Sequence, residues 1–182
     1  MTARRAAHLQ LRGFTIVELL IVVVVIAILA TITVVAYTNI QARARDSQRQ
    51  QDVKTIAKAL ELYYLDKGAY PAGSGATTTG MNTAWSTTVD SSWSNLKSAL
   101  VPAYISDLPT DPGNTSGSDP RFSGSYGYAY YSNTSTYCGV TGRQMYILTY
   151  RVEGGAQADT LIGNCPTNVL RYPQASNYRV VK

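Results

Sequence analysis

The order of apolar and polar residues divides the N-terminal part of the chain into distinct stretches. Residues 14–37 read FTIVELLIVVVVIAILATITVVAY, in which Glu18 is the only charged side chain. As an α-helix this run would extend about 36 Å, which exceeds the ~30 Å of a bilayer core. The pattern therefore predicts a membrane-spanning helix over 14–37. A secretory signal peptide has only ~7–15 apolar residues, although Val34-Val35-Ala36 would also suit ordinary signal peptidase.

Residues 38–70 keep a helical pattern but become amphipathic. Apolar side chains recur at helical spacing and form one stripe, made of Val53, Ile56, Ala57, Leu60, Tyr63 and Tyr64. The opposite face carries Arg49, Lys54, Lys58 and Glu61. The helix is predicted to end at Lys67-Gly68, and Pro71 follows shortly afterwards. We therefore expect one helix from 14 to 67, about 80 Å long, whose second half packs against a sheet.

The remainder, 71–182, is predicted to form a globular head. Residues 71–95 are polar and rich in Gly, Ser and Thr, which favours a surface loop pinned by Trp85 and Trp93. A short helix and a proline-bounded turn are expected over 96–111. Strand candidates are 126–131, 145–152, 161–162 and 178–181, with Tyr146, Leu148, Tyr150 and Val152 alternating on one face of the best of them. The predicted fold class is α+β, with a small antiparallel sheet packed on the helix.

Charge and histidine content limit the chemistry of the chain. The formal charge of +5 owes much to residues 1–13, which hold Arg4, Arg5 and Arg12 and no acid. The only histidine, His8, lies in the same stretch. If this leader is removed, Ser-His-Asp and Cys-His catalysis and histidine-bound zinc are excluded. We therefore expect no enzymatic activity.

Two further groups of side chains have alternative readings. Cys138 and Cys165 are not in a CxxC pair; in an exported domain they favour one disulfide closing 138–165, and two buried free thiols are the alternative. The charges on the two sides of the apolar run do not set its orientation, because Arg4, Arg5 and Arg12 on one side are matched by Arg43, Arg45 and Arg49 on the other. A disulfide would place the C-terminal part outside the membrane. We expect Arg43, Arg45 and Arg49 to form a solvated face beside the membrane; binding to acidic lipid or DNA is the alternative.

Glu18 is the anomaly of the apolar run. An ionised side chain in a membrane helix costs free energy and usually has a partner, but no lysine, arginine or histidine lies between Phe14 and Tyr37. A cut between Gly13 and Phe14 would create an amine with a pKa of about 8. Phe14 and Glu18 are four residues apart on one helical face. The amine could then be neutralised by its own Glu18 or by that of a neighbouring copy.

A basic leader ending in Gly13, then Phe14-Thr15, then glutamate as fifth residue after the glycine and a long apolar helix, resembles type IV pilins and type II secretion pseudopilins. The resemblance implies a type IV pilin-like fold, cleavage after Gly13 by a prepilin peptidase, N-methylation of Phe14 by that enzyme, and subunit docking through Glu18. The chain differs from the family pattern in one respect. Many members carry a proline in the apolar helix, whereas this chain has none between Met1 and Tyr70.

The same resemblance implies where the protein works and with what. It would be a single-pass protein of the inner membrane, surrounded by lipid, that an assembly platform polymerises with copies of itself. The product would be an extracellular pilus for adhesion, twitching motility or DNA uptake, or else the periplasmic pseudopilus of a type II secretion system. In relatives, a clasp like Cys138–Cys165 holds an exposed C-terminal region.

The turn Leu108-Pro109-Thr110-Asp111-Pro112 resembles a pattern of major pseudopilins, in which calcium can sit nearby. Asp107, Asp111 and Asp119 offer the hard oxygen ligands that calcium prefers, but the favoured interpretation is turn-forming aspartates without a metal or other cofactor. DNA binding would rest on arginines scattered through the head: Arg121, Arg143, Arg151, Arg171 and Arg179. N-glycosylation patterns occur at Asn114 and Asn133, a motif that matches often by chance.

Overall fold

The computed structural model describes residues 14–78, 81–117, 119–120, 124–132, 134–136, 139–154 and 177–181. The chain divides into two compact units, Met1–Gln41 and Ala42–Lys182. The described elements are helices α1 (Ile16–Lys67) and α2 (Trp93–Leu100) and strands β1 (Trp85–Thr87), β2 (Ala129–Tyr131), β3 (Ile147–Arg151) and β4 (Asn177–Val181).

Helix α1 is one element of 52 residues, as the two successive patterns predict. It ends where expected: Gly68 adopts a φ of 69°, and its N–H donates to the Tyr64 carbonyl at 2.8 Å. A glycine with positive φ after the last helical residue is a common helix stop. Inside the apolar run the hydroxyls of Thr31 and Thr33 donate to backbone carbonyls one turn earlier, so neither leaves a polar group unsatisfied in an apolar setting.

The strands form one antiparallel sheet in chain order, β1-β2-β3-β4. Trp85 pairs with Tyr131 across β1 and β2, and Ile147 of β3 pairs with the same Tyr131 from the other side. Strand β4 pairs with β3 in a register that sets Val181 opposite Ile147. The α+β, pilin-like fold is therefore confirmed. Of the strand candidates, 161–162 lies outside the described residues.

The core lies on both faces of this sheet. One face packs against the predicted stripe of α1 and against α2, in a cluster that includes Ile56, Leu60, Leu96 and Leu148. The alternation predicted for β3 is confirmed, because Tyr146, Leu148, Tyr150 and Val152 all belong to this cluster. The opposite face is also buried, in a second cluster of Ala76, Trp85, Ala129, Tyr131, Met145 and Ile147. The sheet therefore has no solvent-facing side at these positions.

The prediction of a surface loop over 71–95 is wrong in part. The segment contains β1 and the start of α2, and Trp85 and Trp93 are buried in the core, as the pinning idea predicts. Asp90 organises the segment: its carboxylate accepts hydrogen bonds from the backbone of Thr77 and Thr78 and from Ser92. The polar, Ser/Thr-rich composition suggests a solvated loop, but in the structure the hydroxyls and amides of this segment bond to one another instead of to water.

Candidate functional site

The N-terminus of α1 is formed by a reciprocal pair, Thr15 and Glu18. The Thr15 backbone N–H and hydroxyl both donate to Glu18 Oε2 at 2.8 Å, and the Glu18 N–H donates to Thr15 Oγ1 at 3.2 Å. This is a capping box, which satisfies donors that the first helical turn leaves without partners. The sequence signal for it is the Thr-x-x-Glu spacing at 15–18, which is not among the predictions from sequence. Glu18 has a partner in its own chain before any cleavage.

Within this box the two carboxylate oxygens of Glu18 differ. Both hydrogen bonds from Thr15 go to Oε2, while Oε1 receives none from the described residues. The side chain is exposed. A second cation or N–H group could therefore approach Oε1 without displacing Thr15. Phe14, the residue after the expected cut, precedes the helix and is 89% exposed.

The apolar run presents an uncovered surface on every side of the helix. From Ile16 to Val34 its large apolar side chains are between 48% and 86% exposed. Among the described residues, Ile16–Lys67 is the one helix long and apolar enough to cross a membrane, and its most apolar window is not buried by the rest of the chain. Such a contiguous apolar surface marks a site of contact with lipid or protein.

A second charged site lies at the start of the other unit and corrects an expectation. Arg49 was placed on the polar face of α1, but its side chain is fully buried. Its Nη1 donates to Asp46 Oδ1 and Glu153 Oε1, both at 2.8 Å, and its Nε and Nη2 bind the buried Asp111 carboxylate at 3.0 Å. Arg45 also pairs with Glu153. The solvated-face prediction is therefore wrong for Arg49, whereas Arg45 is partly exposed and Arg43 is exposed.

This ionic cluster joins α1 to two turns of the head. Asp46 accepts N–H bonds from the backbone of Glu153 and Gly154, and Asp111 accepts one from Gly113. Hydrogen bonds from Arg45 lower the pKa of Glu153 to about 2, against burial, which raises it. Burial lowers the pKa of Arg49, but hydrogen bonds to Asp111 and Glu153 outweigh that effect and raise it. Glu153 and Arg49 are therefore both charged at neutral pH.

The three calcium candidates do not converge. Asp111 is committed to Arg49, Asp107 forms a surface ion pair with Lys97, and Asp119 is buried. Within the described ranges no group of three or more His, Cys, Asp or Glu stands close enough to hold a metal ion.

Close by, Tyr128 donates its hydroxyl to Asp52 at 2.8 Å. Burial, followed by this hydrogen bond, raises the pKa of Tyr128.

Other predicted residues are occupied or lie outside the described part of the chain. Arg151 is buried, so it does not offer the exposed guanidinium expected for DNA contact. Arg143 is half-buried and donates through Nε to the Tyr70 carbonyl. The Asn114 amide is bonded to Thr88. The undescribed residues include the leader with Gly13, both cysteines of the predicted disulfide, Arg121, Arg171 and Asn133, while Arg179 is described through its backbone in β4.

Two family models match the chain. The prokaryotic N-terminal methylation motif matches residues 11–34, which include the expected cut and the capping box. The model for type II secretion system protein G matches residues 36–117, which run from α1 through β1 and α2 to the Asp111 turn. Over these two stretches the chain is similar to proteins of the type IV pilin and pseudopilin family.

Similar proteins come from both the pilins and the pseudopilins. It is 40% identical over 63 residues to type II secretion system core protein G of Pseudomonas aeruginosa, covering 35% of this chain and 44% of that protein. It is 37% identical over 59 residues to type IV major pilin protein PilA of Myxococcus xanthus, covering 32% and 27%. It is 40% identical over 65 residues to fimbrial protein EcpC of Eikenella corrodens, covering 36% and 42%.

The chain spans less than half the length of these relatives. No solved structure matches it. The methylation motif and the apolar helix fit a membrane-anchored pilin that is assembled into a fibre.

Proposed function

We propose that this chain is a structural subunit of a type IV pilus. It is made as an inner-membrane precursor with its C-terminus outside, cut between Gly13 and Phe14, methylated at Phe14 by the prepilin peptidase, and polymerised with copies of itself by an assembly platform. The observation that carries this proposal is the apolar surface of residues 16–34, exposed all around α1. The fibre would serve adhesion, twitching motility or DNA uptake, and the subunit is not an enzyme.

The apolar surface supports polymerisation on energetic grounds. Burying a Val, Leu or Ile side chain that was exposed to water stabilises by about 1.5–3 kcal/mol. The side chains of 16–34 are exposed on every face, so one intramolecular contact could not cover them. Lipid covers them before assembly, and the helices of neighbouring copies cover them in a fibre. Because lipid is itself apolar, this surface gives cohesion but does not set register.

Glu18 supports a register contact. Cleavage would create an amine at Phe14, and the Glu18 carboxylate keeps Oε1 available while Thr15 holds Oε2. A neighbouring copy's amine could then bind the carboxylate in a fixed orientation. A charge-assisted hydrogen bond in an apolar environment is stronger than one in water. Subunits would thus stack at one repeat distance.

The test compares Glu18→Gln with wild type in cells that assemble fibres. Gln keeps the size and the oxygen that Thr15 bonds, but removes the charge. We expect N-terminal mass spectrometry to show a mature, methylated Phe14 end in both chains and sheared filaments in wild type alone. Glu61→Gln, a carboxylate farther along α1 whose oxygen accepts the Tyr70 hydroxyl, is the matched control and should assemble. Normal filament yield from Glu18→Gln would refute the docking role.

A pseudopilin of a type II secretion system is the second candidate. It is favoured by the match to the protein G model over 36–117, which includes the Leu108–Pro112 turn. Electron microscopy of sheared cell surfaces with an antibody to the head separates the two. Long external fibres labelled by the antibody support the pilus, whereas label confined to the periplasm together with a secretion defect in the deletion strain supports the pseudopilus.

A further inference from the structure

The turn around Asp111 is where resemblance to pseudopilins implies calcium, and the side chains present do not fit that ion. Calcium takes 6–8 oxygen ligands. Here Asp111 Oδ1 already accepts from Arg49 and from the Gly113 N–H, and Oδ2 accepts from Arg49 Nε. Asp107 is bound to Lys97 at the surface.

A cation of the chain itself already fills this space. The buried Arg49 guanidinium bonds to Asp46, Asp111 and Glu153, so three carboxylates from separate segments converge on one group. With Arg45, which pairs with Glu153, two positive charges face three negative ones. A divalent ion bound to the same oxygens would lie within a few ångströms of the guanidinium and be repelled by it.

The surroundings of Arg49 are closed as well as charged. The Tyr126 ring lies 4.6 Å from the guanidinium carbon, a cation–π distance. A Cβ on Gly113 would approach Arg49 Nη2 to 2.9 Å, which shows how tightly the turn wraps the guanidinium. The planar group satisfies Asp111 through Nε and Nη2, an arrangement that arginine provides and a point charge does not.

We propose that Arg49 is a built-in substitute for a divalent cation, holding the 111–113 and 153–154 turns on α1 so that the head is stable without calcium. A bound ion stabilises a fold only at concentrations above its dissociation constant. A guanidinium fixed to α1 has no such dependence. The head therefore keeps its structure in surroundings where calcium varies, and this holds whether the chain forms a pilus or a pseudopilus.

The first test uses the mature full chain in detergent micelles. Thermal unfolding is followed by the fluorescence of Trp85 and Trp93, which are buried in the head, with calcium or with EGTA. Terbium, a luminescent calcium analogue, is titrated separately, because Tyr126 beside Arg49 would sensitise an ion bound there. We expect one Tm in both solutions and no saturable terbium emission. A Tm that falls in EGTA, or terbium emission that saturates and is displaced by calcium, overturns the proposal.

The second test removes the built-in charge with Arg49→Gln. The three carboxylates then lack their cation, so we expect a lower Tm than that of wild type both in EGTA and in calcium. Lys54→Gln is the matched control, since Lys54 is an exposed cation on the same helix, and its Tm should match wild type in both solutions. An Arg49→Gln chain as stable as wild type in EGTA refutes the proposal that Arg49 takes the place of a divalent cation. If Arg49→Gln does not fold at all, the wild-type measurements still decide the matter.

Discussion

Glu153→Gln should remove a measurable, pH-dependent part of the stability of the head. Glutamine has nearly the shape of glutamate, and its one oxygen can still accept from Arg45 Nε and Arg49 Nη1. Its NH2 group replaces the oxygen that accepts from Arg45 Nη2, so the substitution removes the charge and that one hydrogen bond. The pKa of Glu153 falls from 4.5 to about 2, through Arg45 first and Arg49 second, with burial opposing. By thermodynamic linkage, this difference between the unfolded and folded pKa of Glu153 contributes about 3 kcal/mol to the free energy of unfolding. Because 16% of the side chain is exposed, solvent screening lowers our expectation to about 2 kcal/mol.

The sign of the pH dependence follows from the lowered pKa. A carboxyl group that is more acidic when folded stabilises the fold above its unfolded pKa of 4.5, and this stabilisation is lost as pH falls toward the folded value of about 2. Wild type should therefore be more stable than Glu153→Gln by about 2 kcal/mol at pH 7, with the difference shrinking to less than half by about pH 3. Below the folded pKa the two chains should be equally stable.

The assay is urea unfolding of the full chain in detergent, followed by tryptophan fluorescence at a series of pH values. Trp85 and Trp93 are the only tryptophans and both are buried in the head, so the signal reports unfolding of the head alone. Lys58→Gln, which removes an exposed charge from α1, should change stability by less than ~0.5 kcal/mol at every pH. A Glu153→Gln difference that stays constant from neutral pH to pH 3 would show that the charge is not what the arginines recognise.

Three further predictions concern the core, a close backbone approach and the helix start. Leu60→Ala should destabilise the head by about 2–5 kcal/mol in the same urea assay, because Leu60 is fully buried, whereas Leu65→Ala, at a position 80% exposed, should not. Gly73→Ala should disturb the second core cluster and lower the Tm, because its Cβ would lie 2.0 Å from the Ala84 carbonyl oxygen; an unchanged Tm would contradict this. Thr15→Ala should slow fibre assembly less than Glu18→Gln does, since it removes one of two hydrogen bonds to Oε2, and sheared-filament yield measures the order.

The helix and the principal core were predictable because periodicity reports burial directly. Val53, Ile56 and Leu60 recur at helical spacing, and each is buried against the sheet. The stop at Gly68 was predictable for a similar reason, since glycine after a last lysine suits the positive φ that ends a helix. These features depend on neighbours in sequence, which a single chain displays.

The ionic cluster was not predictable because its members are distant in sequence. Arg49 lies 62 residues from Asp111 and 104 from Glu153, and an arginine on the polar side of a helical stripe usually faces water. Only the folded chain shows that the turns at 111 and 153 cover that side. The order of segment 71–95 was missed for a related reason: Asp90 holds Thr77 and Thr78 through side-chain bonds that leave no periodic signal.

The capping box could have been found from sequence, since Thr15 and Glu18 have the Thr-x-x-Glu spacing. Glu18 is conspicuous in the sequence as a charge without a counterion, but it is also a hydrogen-bond acceptor for Thr15. The two roles are compatible, because the cap uses one carboxylate oxygen.

The ionic cluster also has a mechanical consequence for any fibre built from this chain. Arg45, Asp46 and Arg49 are spaced within little more than one helical turn, close to the beginning of the second unit at Ala42. Tension applied along α1 from its N-terminal side would reach these crosslinks before it reaches the apolar packing at Val53 and beyond. The head would therefore resist detachment from its helix until several charged contacts break together. The force needed should fall when acid neutralises Glu153, whereas salt, which screens buried ion pairs only weakly, should change it little.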